Sequence, residues 1–119
     1  MMEPNNKMSL IVDFNWILLI FGIVFEVFGT ISMKLSDGFT KIIPIIAMLS
    51  FYAVGLSLLA MALKTIDVSV AYAIWSGLGT ALIAIIGIMW FKEPASMVKI
   101  LSVALIVIGV VGLNVGGGH

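Results

Sequence analysis

Charged residues divide the chain into four long apolar runs. The first extends from about Asn15 to Met33 and stops at Lys34, Asp37, Gly38 and Lys41. The second, from about Ile42 to Leu63, carries Pro44 in its first turn, where a missing N–H removes no helical hydrogen bond. It stops at Lys64 and Asp67, and the third then runs from Val68 to Phe91 without a charge until Lys92, Glu93 and Pro94. The fourth runs from about Val98 to Val115, with Lys99 near enough to its start to snorkel outward. Each run approaches the roughly 20 residues that a 30 Å hydrocarbon core requires. Helices satisfy their own backbone polar groups in lipid, whereas a barrel would need alternating strands. The pattern therefore predicts an all-α membrane protein with four transmembrane helices, at about 15–33, 42–63, 68–91 and 98–115. These form one domain over 15–115, between a polar N-terminal tail, 1–14, and a short tail, 116–119. The connections Lys64–Asp67 and Lys92–Ala95 span about one turn each, so consecutive helices are expected to be antiparallel neighbours.

Composition agrees with this reading and narrows the function. Hydrophobic residues make up 62% of the 119 and charged ones 10%, far below the ~25% charged of a soluble domain. A formal net charge of zero argues against nucleic acid as a ligand. There is no cysteine, hence no thiolate chemistry, and His119 at the end of the chain cannot form a metal site by itself. No metal, no cofactor and no enzymatic activity are expected, since no nucleophile, base and orienting group occur together. The first residues are too polar, and the run that follows too long, for a cleaved signal peptide. Trp16 and Trp90 lie near span ends, as an aromatic belt requires. Lys34, Lys41, Lys92 and Lys99 fall on one side of the four-span arrangement and Lys7 and Lys64 on the other, a small bias toward placing the first group in the cytoplasm.

Within the first run stands one carboxylate, Glu26, eight positions from the nearest basic residue, Lys34. A charge at the centre of a membrane helix costs roughly 2.5–3.5 kcal/mol on insertion scales, so its presence marks a functional site. Gly22 lies at i−4, Gly29 at i+3 and Thr30 at i+4, all on the face of Glu26. Those small residues leave open volume beside the carboxylate, which a bound cation needs. They equally permit close helix packing. In the third run Tyr72, Trp75, Ser76 and Gly79 share one face, with Trp75 roughly 10 Å inside the span at 1.5 Å per residue. Aromatic rings near a buried carboxylate suit an organic cation, with cation–π attraction of about 2 kcal/mol when desolvated; the same rings also serve to anchor a span. Gly77 and Gly79 are candidates for a helix bend. Tyr52 brings a hydroxyl to mid-membrane in the second run, available to Glu26 or to a packing contact. Gly109, Gly112 and Gly116 on the fourth run give a close-packing spacing. Four helices are too few to enclose an aqueous pathway, so a site implies at least a dimer. Two copies of Glu26 then face one another, and proton and cation compete for the pair.

The segments Glu26-Val27 with Gly29-Thr30, Met33-Lys34, Ser36 to Thr40 and Ala71-Tyr-Ala-Ile-Trp-Ser-Gly-Leu-Gly79 resemble the small multidrug resistance family over nearly the whole chain, about Trp16 to Asn114. The resemblance implies an antiparallel dimer of four-helix protomers in a bacterial inner membrane, exporting hydrophobic cations in exchange for protons. It implies Glu26 as the shared proton and drug carboxylate, and Trp75, Tyr72, Tyr52 and Ser76 as pocket residues beside Gly22, Gly29 and Thr30. Gly77 and Gly79 become the third-helix kink, and Gly109 and Gly112 the dimer seam. Gly29 stands where guanidinium exporters carry Trp, and with Trp75-Ser76-Gly77 this is similar to the quaternary-ammonium subtype. Asp67 replaces the usual Pro, and the Lys64–Asp67 turn resembles members that act as paired, non-identical subunits. The implied partner is an identical chain or a paralogous one.

Overall fold

The computed structural model describes residues 7–116, with side chains at residue 10 and residues 14–113. Residues 1–6 of the expected tail, and residues 117–119 with His119, lie outside the described residues. Four α-helices follow one another: α1 Lys7–Leu35, α2 Ile42–Ala62, α3 Val68–Met89 and α4 Met97–Gly116. Helix α1 begins ahead of the apolar run, so half of the polar stretch read as tail is helical. At ~1.5 Å per residue its 29 residues reach about 43 Å, longer than a hydrocarbon core. Its apolar part, Phe14–Leu35, is long enough to span, as are α2 and α3; the apolar part of α4, Met97–Leu113, is shorter. Helix α3 ends at Met89 rather than Phe91, because Lys92 takes a left-handed backbone (φ 58°) and turns the chain.

The chain forms two compact units, residues 1–66 and 67–119. In the first, α1 packs along α2. The contact is close because Gly55 has no side chain: a Cβ there would lie 3.0 Å from the Gly22 carbonyl oxygen and 3.3 Å from the Glu26 nitrogen. On one side of this crossing Phe51 stacks at a tilt against Phe25 and Phe28, with centroids 6.1 and 5.5 Å apart. The α1–α2 turn is built on Ser36, which is fully buried. Its Oγ donates to the Met33 carbonyl (2.7 Å) and accepts from the Phe39 N–H (3.0 Å), while its carbonyl accepts from the Thr40 N–H (2.9 Å). Asp37, Gly38 and Phe39 all take positive φ to close this turn. At the other end, buried Asn15 donates through Nδ2 to Thr65 Oγ1 at 2.8 Å, tying α1 to the turn after α2.

In the second unit α3 packs on α4. Gly77 makes that contact, since a Cβ there would overlap Val110 Cγ2 and lie 3.2 Å from Ile106 Cγ2. Ser96 starts α4 by accepting the Lys99 N–H on its side-chain oxygen (3.2 Å), which fills one of the open donors of the first turn. The connection folds back so that Glu93 covers Gly87, with the Glu93 N–H on the Gly87 carbonyl at 3.0 Å. Lys99 pairs with Glu93 at 3.5 Å and donates to the Pro94 carbonyl at 3.4 Å, so its ammonium is fastened to the loop.

Candidate functional site: a carboxylate on a hydroxyl thread

Glu26 lies near the middle of the apolar part of α1, about 18 Å along the helix from Phe14 and about 14 Å from Leu35. Its side chain is half-buried. One turn on, Thr30 Oγ1 donates to Glu26 Oε2 at 3.0 Å and approaches the Glu26 carbonyl oxygen at 3.2 Å. The second contact is the usual fallback of a helical threonine, whose hydroxyl bonds the carbonyl four residues back. Thr30 Oγ1 also lies 2.9 Å from the Tyr52 hydroxyl on α2. A thread of three side chains thus runs Tyr52, Thr30, Glu26, and its end is a carboxylate.

Gly29 makes the thread possible. A Cβ at this position would stand 2.5 Å from both Cδ1 and Cε1 of Tyr52. The ring lies flat across the helix where that side chain would be, and its hydroxyl reaches the next residue. Gly22 is buried one turn before Glu26, with its carbonyl at the α2 crossing beside Gly55. Helix packing is the contact that the structure gives it. Of the residues singled out in the sequence, Glu26, Gly29, Thr30, Tyr52 and Gly22 are thus gathered on the α1–α2 face. The Tyr52 hydroxyl is one hydrogen bond removed from the carboxylate rather than on it.

Tyr72, Trp75, Ser76, Gly77 and Gly79 are on α3, in the second unit. Tyr72 is 68% exposed, Trp75 half-buried and Ser76 exposed, so this face presents aromatic and hydroxyl groups outward. Helix α3 is continuous through Gly77 and Gly79. Ser76, Gly77 and Thr80 line a cleft of about 350 Å³ with Ile106, Gly109 and Val110 of α4. Gly109 and Gly112 have nothing within 4 Å of where a Cβ would be, so that face of α4 is open.

Sequence reasoning passed over two residues, Gly55 and Asn15, and one property of a residue it named, the hydroxyl of Thr30. Gly55 was one glycine among large residues in the second span, a visible signal for close approach. Asn15 was a lone amide at the start of an apolar run, but its partner Thr65 is 50 residues away and had no local sign. Thr30 was counted for its size, not for its hydroxyl.

The described residues hold no group of three or more His, Cys, Asp or Glu side chains able to bind a metal. Comparison with known proteins gives a consistent result. The family model described as Small Multidrug Resistance protein matches residues 14–106. An uncharacterized membrane protein, YvaE of Bacillus subtilis (strain 168), is 53% identical over 84% of this chain and 84% of its own length. Multidrug resistance protein EbrB of the same organism is 45% identical over 85% of this chain and 86% of its own. Quaternary ammonium compound-resistance protein QacG of Staphylococcus sp. (strain ST94) is 39% identical over 87% and 96%.

Proposed function

The chain belongs to the small multidrug resistance family, and on that premise we propose a proton-coupled antiporter that exports hydrophobic and quaternary ammonium cations. The family's members are multidrug efflux transporters of small organic cations, not enzymes, and this one is a multi-pass inner-membrane protein. The finer reading is that proton and cation compete for Glu26. The observation carrying it is a mid-membrane carboxylate whose hydrogen-bond partner is a hydroxyl, which leaves its charge to be neutralised by a mobile cation. A bound proton removes that charge, so the two ligands exclude one another. Each elementary charge crossing 100 mV is worth about 2.3 kcal/mol, so exchanging more than one proton per cation adds drive.

The proposed working form is an antiparallel dimer with one Glu26 from each protomer and Tyr72, Trp75, Ser76 and Tyr52 as pocket walls. The open glycine face of α4 supports a helix-to-helix seam at Gly109 and Gly112. Gly77 and Gly79 are the proposed bending points of α3. A paralogous partner is the alternative to an identical one, favoured by the Lys64–Asp67 turn. A guanidinium exporter is disfavoured, because the Tyr52 ring occupies the space a large residue at position 29 would need.

The test is transport in vesicles holding only this chain. A proton gradient should drive tetraphenylphosphonium movement in the wild type and not in Glu26→Gln. Gradient-driven exchange surviving in Glu26→Gln rules out the carboxylate mechanism. Exchange that appears only when a paralogous chain is added assigns the heterodimer.

A further inference from the structure

A hydroxyl carries one hydrogen, and that count fixes the direction of the thread. A charged Glu26 only accepts, so Thr30 Oγ1–H points to Oε2 (3.0 Å). Thr30 then has no hydrogen left for Tyr52, and the 2.9 Å contact between them requires the Tyr52 O–H to donate to Thr30. The chain Tyr52→Thr30→carboxylate is polarised by a full charge at its end, which shortens and strengthens each link. A protonated Glu26 presents an O–H in place of a lone pair. With the hydrogen on Oε2, Thr30 receives at Oγ1 and its own hydrogen turns to the Glu26 carbonyl at 3.2 Å or to the Tyr52 oxygen; with it on Oε1, Thr30 still donates to Oε2, now a neutral carbonyl oxygen. In both arrangements the charge no longer terminates the chain. Helix α2, which packs on α1 in this unit, carries Tyr52 as its one titratable side chain, and the nearest ionisable residue along α1 is Lys34, eight positions on. Within the unit, the thread is therefore the polar link between the carboxylate and the neighbouring helix.

We propose that Thr30 is a positioning residue through which the Tyr52 hydroxyl reads the charge state of Glu26. The ring is held across Gly29, as an aromatic wall, while the carboxylate is charged and is loosened when a proton arrives. Proton and cation then compete twice, for the carboxylate and for the order of the wall beside it. This inference rests on the reading of Glu26 as the proton site given above, and it assigns to Thr30 and Tyr52 a role beyond lining the pocket.

The experiment is an infrared difference spectrum of the full chain in lipid vesicles, recorded as acidic minus alkaline buffer over a pH series, with the Glu26 band identified by its absence in Glu26→Gln. The C–O stretch of a tyrosine depends on whether its hydroxyl donates or accepts, and the chain has only two tyrosines, Tyr52 and Tyr72. The wild type should show a Glu26 carboxyl band together with a tyrosine band shift. Tyr52→Phe should remove the tyrosine shift. Thr30→Val should also remove it while the carboxyl band remains and the helical amide I band is unchanged, the latter showing that the variant is folded; Thr30→Ser should restore it. A carboxyl band without a tyrosine shift, or a shift undiminished in Thr30→Val, overturns the relay and leaves the proton site standing. Loss of the carboxyl band from the wild type overturns both. Tetraphenylphosphonium binding gives a second reading: Thr30→Val and Tyr52→Phe should each weaken it by about three- to tenfold, and the double variant no more than about twofold beyond Thr30→Val. Multiplying effects overturn the relay, since they mean that the two side chains act independently.

Discussion

The two units meet the same requirement, packing two helices in lipid, by opposite means. In α1–α2 the close approach at Gly22 and Gly55 carries polar chemistry on its face: a carboxylate, two hydroxyls and, at one end, the Asn15–Thr65 bond. In α3–α4 the contact is hydrocarbon, Gly77 against Val110 and Ile106, and the ion pair stands at the end of the pair, between Glu93 of the loop and Lys99 in the first turn of α4. The first unit is internally committed, with Gly22, Gly29 and Gly55 all buried. The second leaves Gly109, Gly112 and Tyr72 open. Under the proposed function this difference is a division of labour, in which α1–α2 holds the carboxylate and α3–α4 offers aromatic pocket walls and an open glycine face for assembly.

The comparison can be broken most severely at Gly29. Gly29→Trp must expel the Tyr52 ring, and tetraphenylphosphonium binding should fall by about 10-fold to 100-fold, the range for losing a hydrogen-bonded support of a charged group. Affinity within twofold of the wild type contradicts the seating of Tyr52 on this glycine. Next in size are the packing glycines. Gly55→Ala pushes a methyl against backbone, which cannot yield, and should cost about 1–3 kcal/mol in detergent unfolding. Gly77→Ala meets the branched side chain of Val110 and should fall in the lower half of that range. Equal cost at both positions denies that the backbone facing Gly55 yields less than the Val110 side chain facing Gly77. Gly109→Leu, placed where nothing stands within 4 Å, should leave protomer helicity unchanged and reduce the dimer fraction in crosslinking. Lys99→Ala should change stability by no more than about 0.5 kcal/mol, because the pair with Glu93 is one-third to two-fifths exposed and screened by water.

Four spans and their connections were legible because hydropathy alone dictates them, and Glu26 was legible because a lone charge in a span is costly. The limits of α1 were not. Its first residues are polar, so no hydropathy rule extends the helix to Lys7, whereas backbone continuity does. The role of Tyr52 was half legible, since the sequence put its hydroxyl at mid-membrane but not on Thr30. The partner is set by the crossing at Gly55, where the register of α2 on α1 is fixed by a contact 33 residues from Gly22. Likewise Lys99 read as a snorkelling end and is instead fastened to its loop, because Glu93 folds back over Gly87. Periodicity along one helix carries no information on such cross-helix pairs.

The central claim, that proton and cation occupy one carboxylate by turns, is tested most directly by proton release. Tetraphenylphosphonium added to the purified protein in weakly buffered solution, at a pH where Glu26 is protonated, should release protons in proportion to cation bound. Glu26→Gln should release none. Cation binding by the wild type at that pH with no proton released would contradict the account.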